Sequence, residues 1–322
     1  MDISSPQAVP APPSIPKSLL AGFDAVSNHI GLVLFAFILD IFLWLGPKFP
    51  LDHFFTSLLT QTSEVANTFQ LEEAVKRLNL FTALRSYPIG VPSLMASRNP
   101  LASPLSNVSW TITSPFVIMG LWLLFTLSGL VIGTLYFIMI SEAASGRSPF
   151  RFQIIQRWPK TFLQFLLLAL IWVGILLGVG VPFICLLSLL GMGGLSIGLL
   201  LMIPYFLLLT WFLLPLVFSP HGILVKNYKA WKAIQESGRL VRFTLPATGL
   251  FIFVVIILSE GLDALWKIPA EASWLSLVGI LGHAFVNASL LAASFIYYQQ
   301  ADQWMQKAML QANFLNSRRS KL

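Results

Sequence analysis

Long apolar runs alternate with short polar connections along this chain, and the runs set its architecture. They occupy residues 30–46, 115–140, 161–218, 246–266 and 273–298. About 20 apolar residues in helix cross the hydrocarbon of a bilayer, so every run but the third reads as one span. Residues 161–225 carry no formal charge, a length right for two spans and a tight hairpin, with GMGG at 191–194 as the turn. Pro182, Pro204 and Pro215 are expected to kink the hairpin helices. The pattern predicts an all-α, polytopic membrane protein with six transmembrane helices, at 18–46, 115–140, 161–190, 195–218, 246–266 and 273–298. The first is extended backwards by an amphipathic turn or two, and the last continues into the tail at 301–322.

The connections differ in kind. Residues 1–17 hold five prolines and no apolar core, a flexible tail rather than a secretory signal or a lipid-anchor motif. Pro47 and Pro50 end the first span. Residues 47–114 begin with helix-like apolar spacing at 51–66 and 71–84, then turn to Pro, Ser, Asn and Gly after Arg85. This outer segment is expected to be a small helical and loop-like cap packed on the bundle. Ser114-Pro115 opens the second span with a cap followed by proline at the first helical position, and Ser148-Pro149 opens a short basic helix at 150–160. Residues 219–243 read as an amphipathic helix lying flat in the interface. Leu224, Tyr228, Trp231, Ile234 and Gly238 share one sector, and Lys226, Lys229, Lys232, Glu236 and Arg239 the other.

Composition agrees with a bilayer as solvent: 56% of the 322 residues are hydrophobic and 10% charged, against roughly 25% charged in soluble domains. The formal charge of +7 is spread over short segments beside apolar runs, which points to membrane phosphate and not to nucleic acid. Counting Lys and Arg in the short connections orients the chain. Arg147, Arg151, Arg157 and Lys160 lie between spans two and three. Lys226, Lys229, Lys232, Arg239 and Arg242 lie between four and five, and the tail adds Lys307, Arg318, Arg319 and Lys321. Both termini are therefore expected in the cytoplasm of a bacterial cell, with the chain in its inner membrane. Cys185 is the single cysteine, and His29, His53, His221 and His283 are well separated, so no disulfide, zinc spacing, metal site or cofactor is expected.

A cytoplasmic amphipathic segment followed by two spans occurs three times, from Pro16, Ser148 and Ser219, a faint internal repeat. The string AIQESGRLVR at 233–242 resembles the cytoplasmic connector of the six-helix membrane domain fused to some bacterial glycerophosphodiester phosphodiesterases, through Ala233, Ser237, Leu240, Val241 and Arg242. Tyr297-Tyr298 also matches that family, although the arginine that follows there is missing here. The strings LDIFLWLGP at 39–47 and GVPSL at 90–94 resemble a group of uncharacterised bacterial membrane proteins. Neither resemblance implies an activity, since the phosphodiesterase chemistry belongs to a separate soluble domain.

Charges inside spans cost about 2.5–3.5 kcal/mol on insertion scales, which singles out Asp40, Glu260 and His283. Asp40 lies some six residues, about 9 Å, from the outer end of span one. His283 shares a helix stripe with Ser276, Asn287 and Ser294. Asp40, Glu260, His283 and Asn287 are thus expected to meet in the outer half of the bundle, either as a proton or cation relay or as interhelical hydrogen bonds fixing the packing. Lys226, Lys229, Lys232, Arg239, Arg242, Arg151 and Arg157 are expected to face anionic lipid headgroups on the cytoplasmic side, or a membrane or cytoplasmic protein partner. Gly129-x-x-x-Gly133 and Gly174-x-x-x-Gly178 are expected to permit close packing within the monomer, and Asn107-Val-Ser109 is read as a chance sequon. With no nucleophile–base pair, phosphate loop or metal motif, the leading expectation is a non-enzymatic scaffold or lipid-associated module. A small-solute or ion permease is the alternative, and an intramembrane lipid enzyme the weaker one.

Overall fold

The computed structural model describes residues 12–52, 54–55, 75–192 and 198–319. The tail at 1–11, most of the expected helix at 51–66, the first residues of that at 71–84, the end of the GMGG turn and Lys321 lie outside the described residues; the described remainder of 71–84 is broken before the 3-10 turn Leu80–Arg85. Regular structure among those described is helical. In chain order the helices are α1 (Ile15–Ser27), α2 (Val33–Leu45), α3 (Leu94–Arg98), α4 (Pro115–Ala144), α5 (Gln153–Met192), α6 (Gly198–Leu213), α7 (Ser219–Lys226), α8 (Ala230–Phe243), α9 (Leu245–Trp266) and α10 (Ser276–Arg319). Five helices are long and apolar enough to cross a membrane, or six if the bent pair of α1 and α2 counts as one span. This is a multi-pass membrane protein.

Three boundaries differ from expectation. Residues 18–46 do not form one rod: α1 and the helix after it meet at 88°. The break falls on Ser27, Asn28, His29 and Gly31, residues of low helix propensity, and Gly31 sits where a Cβ would come within 3.0 Å of the Phe150 ring. The short basic helix expected at 150–160 is instead the opening of α5. Its apolar spacing runs on through Ile154 and Trp158, and the Trp158 Nε1 donates to Val131 O at 3.1 Å.

Residues 219–243, expected as one flat helix, form two. Asn227 breaks them in the left-handed conformation (φ 55°), which Asn tolerates better than most residues. The buried face of α8 is Ala230, Ala233, Ser237, Leu240 and Val241, while Trp231 is 66% exposed. The side presented to the protein is therefore rotated from the aromatic sector that the wheel picks out. That side of α8 packs on α7 and on the 3-10 turn Leu214–Leu216.

The helices assemble as two compact units. One comprises the N-terminal residues up to Ala21, Leu163–Phe253 and the chain from Ala293 onward; the other comprises Gly22–Phe162 and Val254–Ala292. In the first, Phe251 stacks on Tyr297 at 4.1 Å, and Phe218 packs on both Tyr297 and Tyr298. The Phe218 N–H donates to Ser237 Oγ at 3.1 Å, and His221 Nε2 meets Ser294 Oγ at 2.8 Å. In the second, Leu43, Trp44, Phe81, Leu94, Met95 and Ile280 form a continuous core. Three of those six come from the outer segment, so that segment is part of the unit's interior.

Candidate functional site

The described part of the segment at 47–114 packs deeper than a surface cap. Its 3-10 turn Leu80–Arg85 packs along α4, and the contact falls at the middle of that 30-residue helix. A Cβ on Gly129 would lie 2.2 Å from Leu84 O, and one on Gly133 would lie 2.8 Å from the Gly90 Cα. These glycines admit the backbone of residues 84–90, where the Gly-x-x-x-Gly spacing alone suggests another helix. A Cβ added at Gly174 or Gly178 would meet nothing within 4 Å, so the same spacing there serves no contact of this kind.

Residues 84–90 thus re-enter to the level of α4's apolar middle. Irregular backbone survives at such depth only when it is enclosed by protein, and Ile89, Val91, Leu94 and Met95 are all buried to 2% exposure or less.

Asp40 explains how the segment is held. Its Oδ1 accepts from Ser93 Oγ at 2.5 Å and from the Met95 N–H at 2.9 Å, and its Oδ2 accepts from the Leu94 N–H at 3.1 Å. Ser93 in turn accepts the Ala96 N–H at 2.9 Å. The first turn of α3 therefore has its otherwise orphaned donors met by its own N-cap and by a carboxylate from α2.

A second clamp lies at the connection between α9 and α10. Glu271, between α9 and α10, accepts from Arg77 at 2.9 Å and from the Leu101 and Ala102 N–H groups at 2.8 and 3.3 Å. Its backbone carbonyl accepts the Trp44 indole at 2.8 Å. Arg98 donates to Pro269 O at 2.6 Å, and Lys48 donates to Pro100 O at 2.6 Å. Partial burial pushes the Glu271 carboxyl up, but the Arg77 and backbone hydrogen bonds outweigh it and hold the group below its usual value of 4.5. Burial lowers the Lys48 ammonium, with Glu271 opposing.

A carboxyl depressed on folding contributes stability that is whole above its unfolded pKa and is lost as pH falls through the folded one. Resistance to thermal unfolding in detergent should accordingly weaken below about pH 4.5, and Glu271→Gln should reduce that acid-side loss while costing about 1–2 kcal/mol at neutral pH. An unaltered acid limb in the variant would remove Glu271 from this role.

Of the expected meeting of Asp40, Glu260, His283 and Asn287, Asp40 lies within electrostatic reach of His283 and Asn287 lies against it, and only Glu260 needs correction. Glu260 is exposed on α9. Its place is taken by Asp263, whose Oδ1 lies 2.6 Å from His283 Nδ1. Asn287 Oδ1 accepts from Ser259 Oγ at 2.9 Å, and its Nδ2 lies 3.1 Å from His283 Nδ1. Ser259 and Asp263 are one turn apart and share a face of α9, whereas Glu260 is rotated about 100° from Ser259. His283 Nε2 is buried with no hydrogen-bond partner among the described residues.

Along the expected stripe on α10, Ser276 bonds Ala270 O and Ser294 bonds His221, so the stripe serves three separate contacts. Asp40 and Asp263 both interact with His283, whereas Glu271 serves a separate junction.

Of the seven basic residues expected to face lipid, Lys226 and Arg157 form close ion pairs within the protein. Lys226 pairs with Asp302 at 2.6 Å. Arg157 lies 3.2 Å from Glu142, which also takes Arg147 at 2.5 Å. Glu142 and Asp302 do not stand out in the sequence, although each lies at the end of an apolar run beside basic residues. Lys232 sits over the Tyr228 ring at 4.5 Å. Lys229, Arg151, Arg239 and Arg242 are exposed.

A cavity of about 670 Å³ opens between α2 and α4, walled by Leu34, Phe35, Ile38, Phe42, Leu84 and Ile132 among others. It is lined almost wholly by carbon. The segment at 84–91 supplies one wall through Leu84 and Val91. Comparison with protein families, with curated proteins and with solved structures finds no match to the chain.

Proposed function

We propose that this protein is a non-enzymatic, lipid-associated scaffold of the bacterial inner membrane, crossing it six times with both termini in the cytoplasm. The observation that carries the reading is the carbon-lined groove between α2 and α4. At about 670 Å³ it is in the size range of ligand sites, and its walls offer contact for hydrocarbon and almost no polar grip. Two further features support it. The acids Asp40, Glu142, Asp263 and Glu271 are bonded to groups of the chain itself, which fits a role in shaping the bundle. The exposed basic residues gather beside helix ends, where anionic headgroups would meet them at about 1 kcal/mol each.

Purification from native membranes tests this. The protein should retain phospholipid enriched in anionic headgroups relative to the bulk membrane, or a bound protein partner. Bulk-composition lipid and no partner would sink the proposal. Topology has its own test: Lys229→Cys in a Cys185→Ser background should react with a membrane-impermeant maleimide only from the inner side.

A proton-coupled permease is the second reading, and its specific support is the buried His283–Asp263 pair with an unpartnered Nε2 among the described residues. Dye-loaded vesicles holding the protein would then acidify faster than empty ones, and His283→Gln would abolish the difference. Equal rates in loaded and empty vesicles would leave the scaffold reading alone.

A further inference from the structure

A pocket of about 650 Å³ lies where α8 ends, and it brings Arg239 and Arg242 together with Gln235, Ile234, Phe243 and Met309. The arginines are three apart on one helix and so lie on the same side. Their electrostatic setting differs from that of the other basic connectors. Lys226 is closed by Asp302, and Arg147 and Arg157 by Glu142. Arg239, by contrast, has only Glu236 at 4.0 Å and the Met309 sulfur at 3.1 Å, and Arg242 has no ion pair among the described residues. Two guanidiniums therefore face a concavity against one distant carboxylate.

The rest of the lining is carbon. Phe243 is followed within two residues by Leu245, where the apolar helix α9 begins, and Pro215 belongs to the turn that ends the apolar run of α6. The pocket thus joins a cationic side to a hydrocarbon side at the ends of helices long enough to cross a membrane. A free anion would satisfy the first and leave the second bare.

We infer that this pocket binds one anionic phospholipid, its phosphate on Arg239 and Arg242 and its upper acyl segment on Ile234, Phe243 and Met309. The inference rests on the lipid-associated reading and adds a site to it.

Titration of the detergent-purified full-length protein with phosphatidylglycerol and with phosphatidylcholine, read by native mass spectrometry, decides it. The expected result is one high-occupancy phosphatidylglycerol. The pair Arg239→Gln and Arg242→Gln should weaken it about 30-fold, at about 1 kcal/mol per basic residue. Lys229→Gln with Lys232→Gln removes the same charge outside the pocket and, in detergent where no anionic surface surrounds those residues, should change affinity less than about threefold. Equal weakening by both pairs would mean diffuse attraction, overturning the site and leaving the lipid reading intact. Displacement by millimolar inorganic phosphate would mean a free-anion site and overturn the lipid assignment. No preference for phosphatidylglycerol over phosphatidylcholine would overturn the site and the reading together.

Discussion

Replacing Asp40 with alanine should lower stability by about 3 kcal/mol and release the re-entrant segment. The carboxylate is fully buried and accepts from three donors, the Ser93 hydroxyl and the Leu94 and Met95 amides. Alanine leaves all three enclosed without an acceptor, and a buried unsatisfied donor costs roughly 1–3 kcal/mol. The Ser93 hydroxyl can turn elsewhere, and the unfolded chain in a membrane also finds partners, so the sum falls below the simple total of three.

Asp40→Asn keeps one oxygen and turns an NH2 toward a donor, so roughly half the loss should remain. Denaturation in mixed micelles gives the energies, and limited proteolysis between residues 85 and 110 reports release. Glu260→Ala is the matched control, because Glu260 is exposed, and should stay within about 0.5 kcal/mol. If Asp40→Ala behaved like that control, Asp40 would not be what holds α3 in place.

The membrane-crossing helices were legible because bilayer thickness dictates run length. The predicted spans at 115–140 and 246–266 lie within a residue or a few of α4 and α9, and the expected continuation of the last helix into the tail is seen in α10. Helix phase was harder to read than helix existence. Asp263 and Glu260 have similar depth in α9, and depth alone selected Glu260. The phase that places Asp263 against His283 comes from how α9 packs on α10, where Gly279 and Gly282 lie against Trp266.

The outer segment was least legible. Its tokens, Ser93-Leu94-Met95 and Ile89-Gly90-Val91, are too short to carry periodicity, and nothing local says that three of those residues bury beneath Asp40. One signal was available. A lone buried-span acid needs donors, and Ser93, with a helix start after it, is the kind of partner that supplies several at once.

The second large effect is steric. Gly129→Ala should cost about 2–3 kcal/mol, at the upper end of usual overpacking losses, because its new methyl would lie 2.2 Å from Leu84 O and 2.7 Å from Leu84 C. Both obstacles are backbone, so no rotamer change relieves them, and the segment must lift from α4. Gly133→Ala meets the Gly90 Cα at 2.8 Å and should cost somewhat less. Gly174→Ala supplies the opposite expectation. Nothing lies within 4 Å of it, and alanine favours helix over glycine by about 1 kcal/mol, so that variant should be neutral or slightly stabilised.

The same lifting would open the carbon-lined groove, since Leu84 and Val91 form part of its wall. Gly129→Ala should therefore lose any acyl-chain retention that the groove provides, while phosphatidylglycerol binding at Arg239 and Arg242 persists. Micelle denaturation and lipid mass spectrometry on the three alanine variants would measure both. A Gly129→Ala protein as stable as Gly174→Ala would mean that residues 84–90 do not lie against α4, and the groove would lose its wall with them.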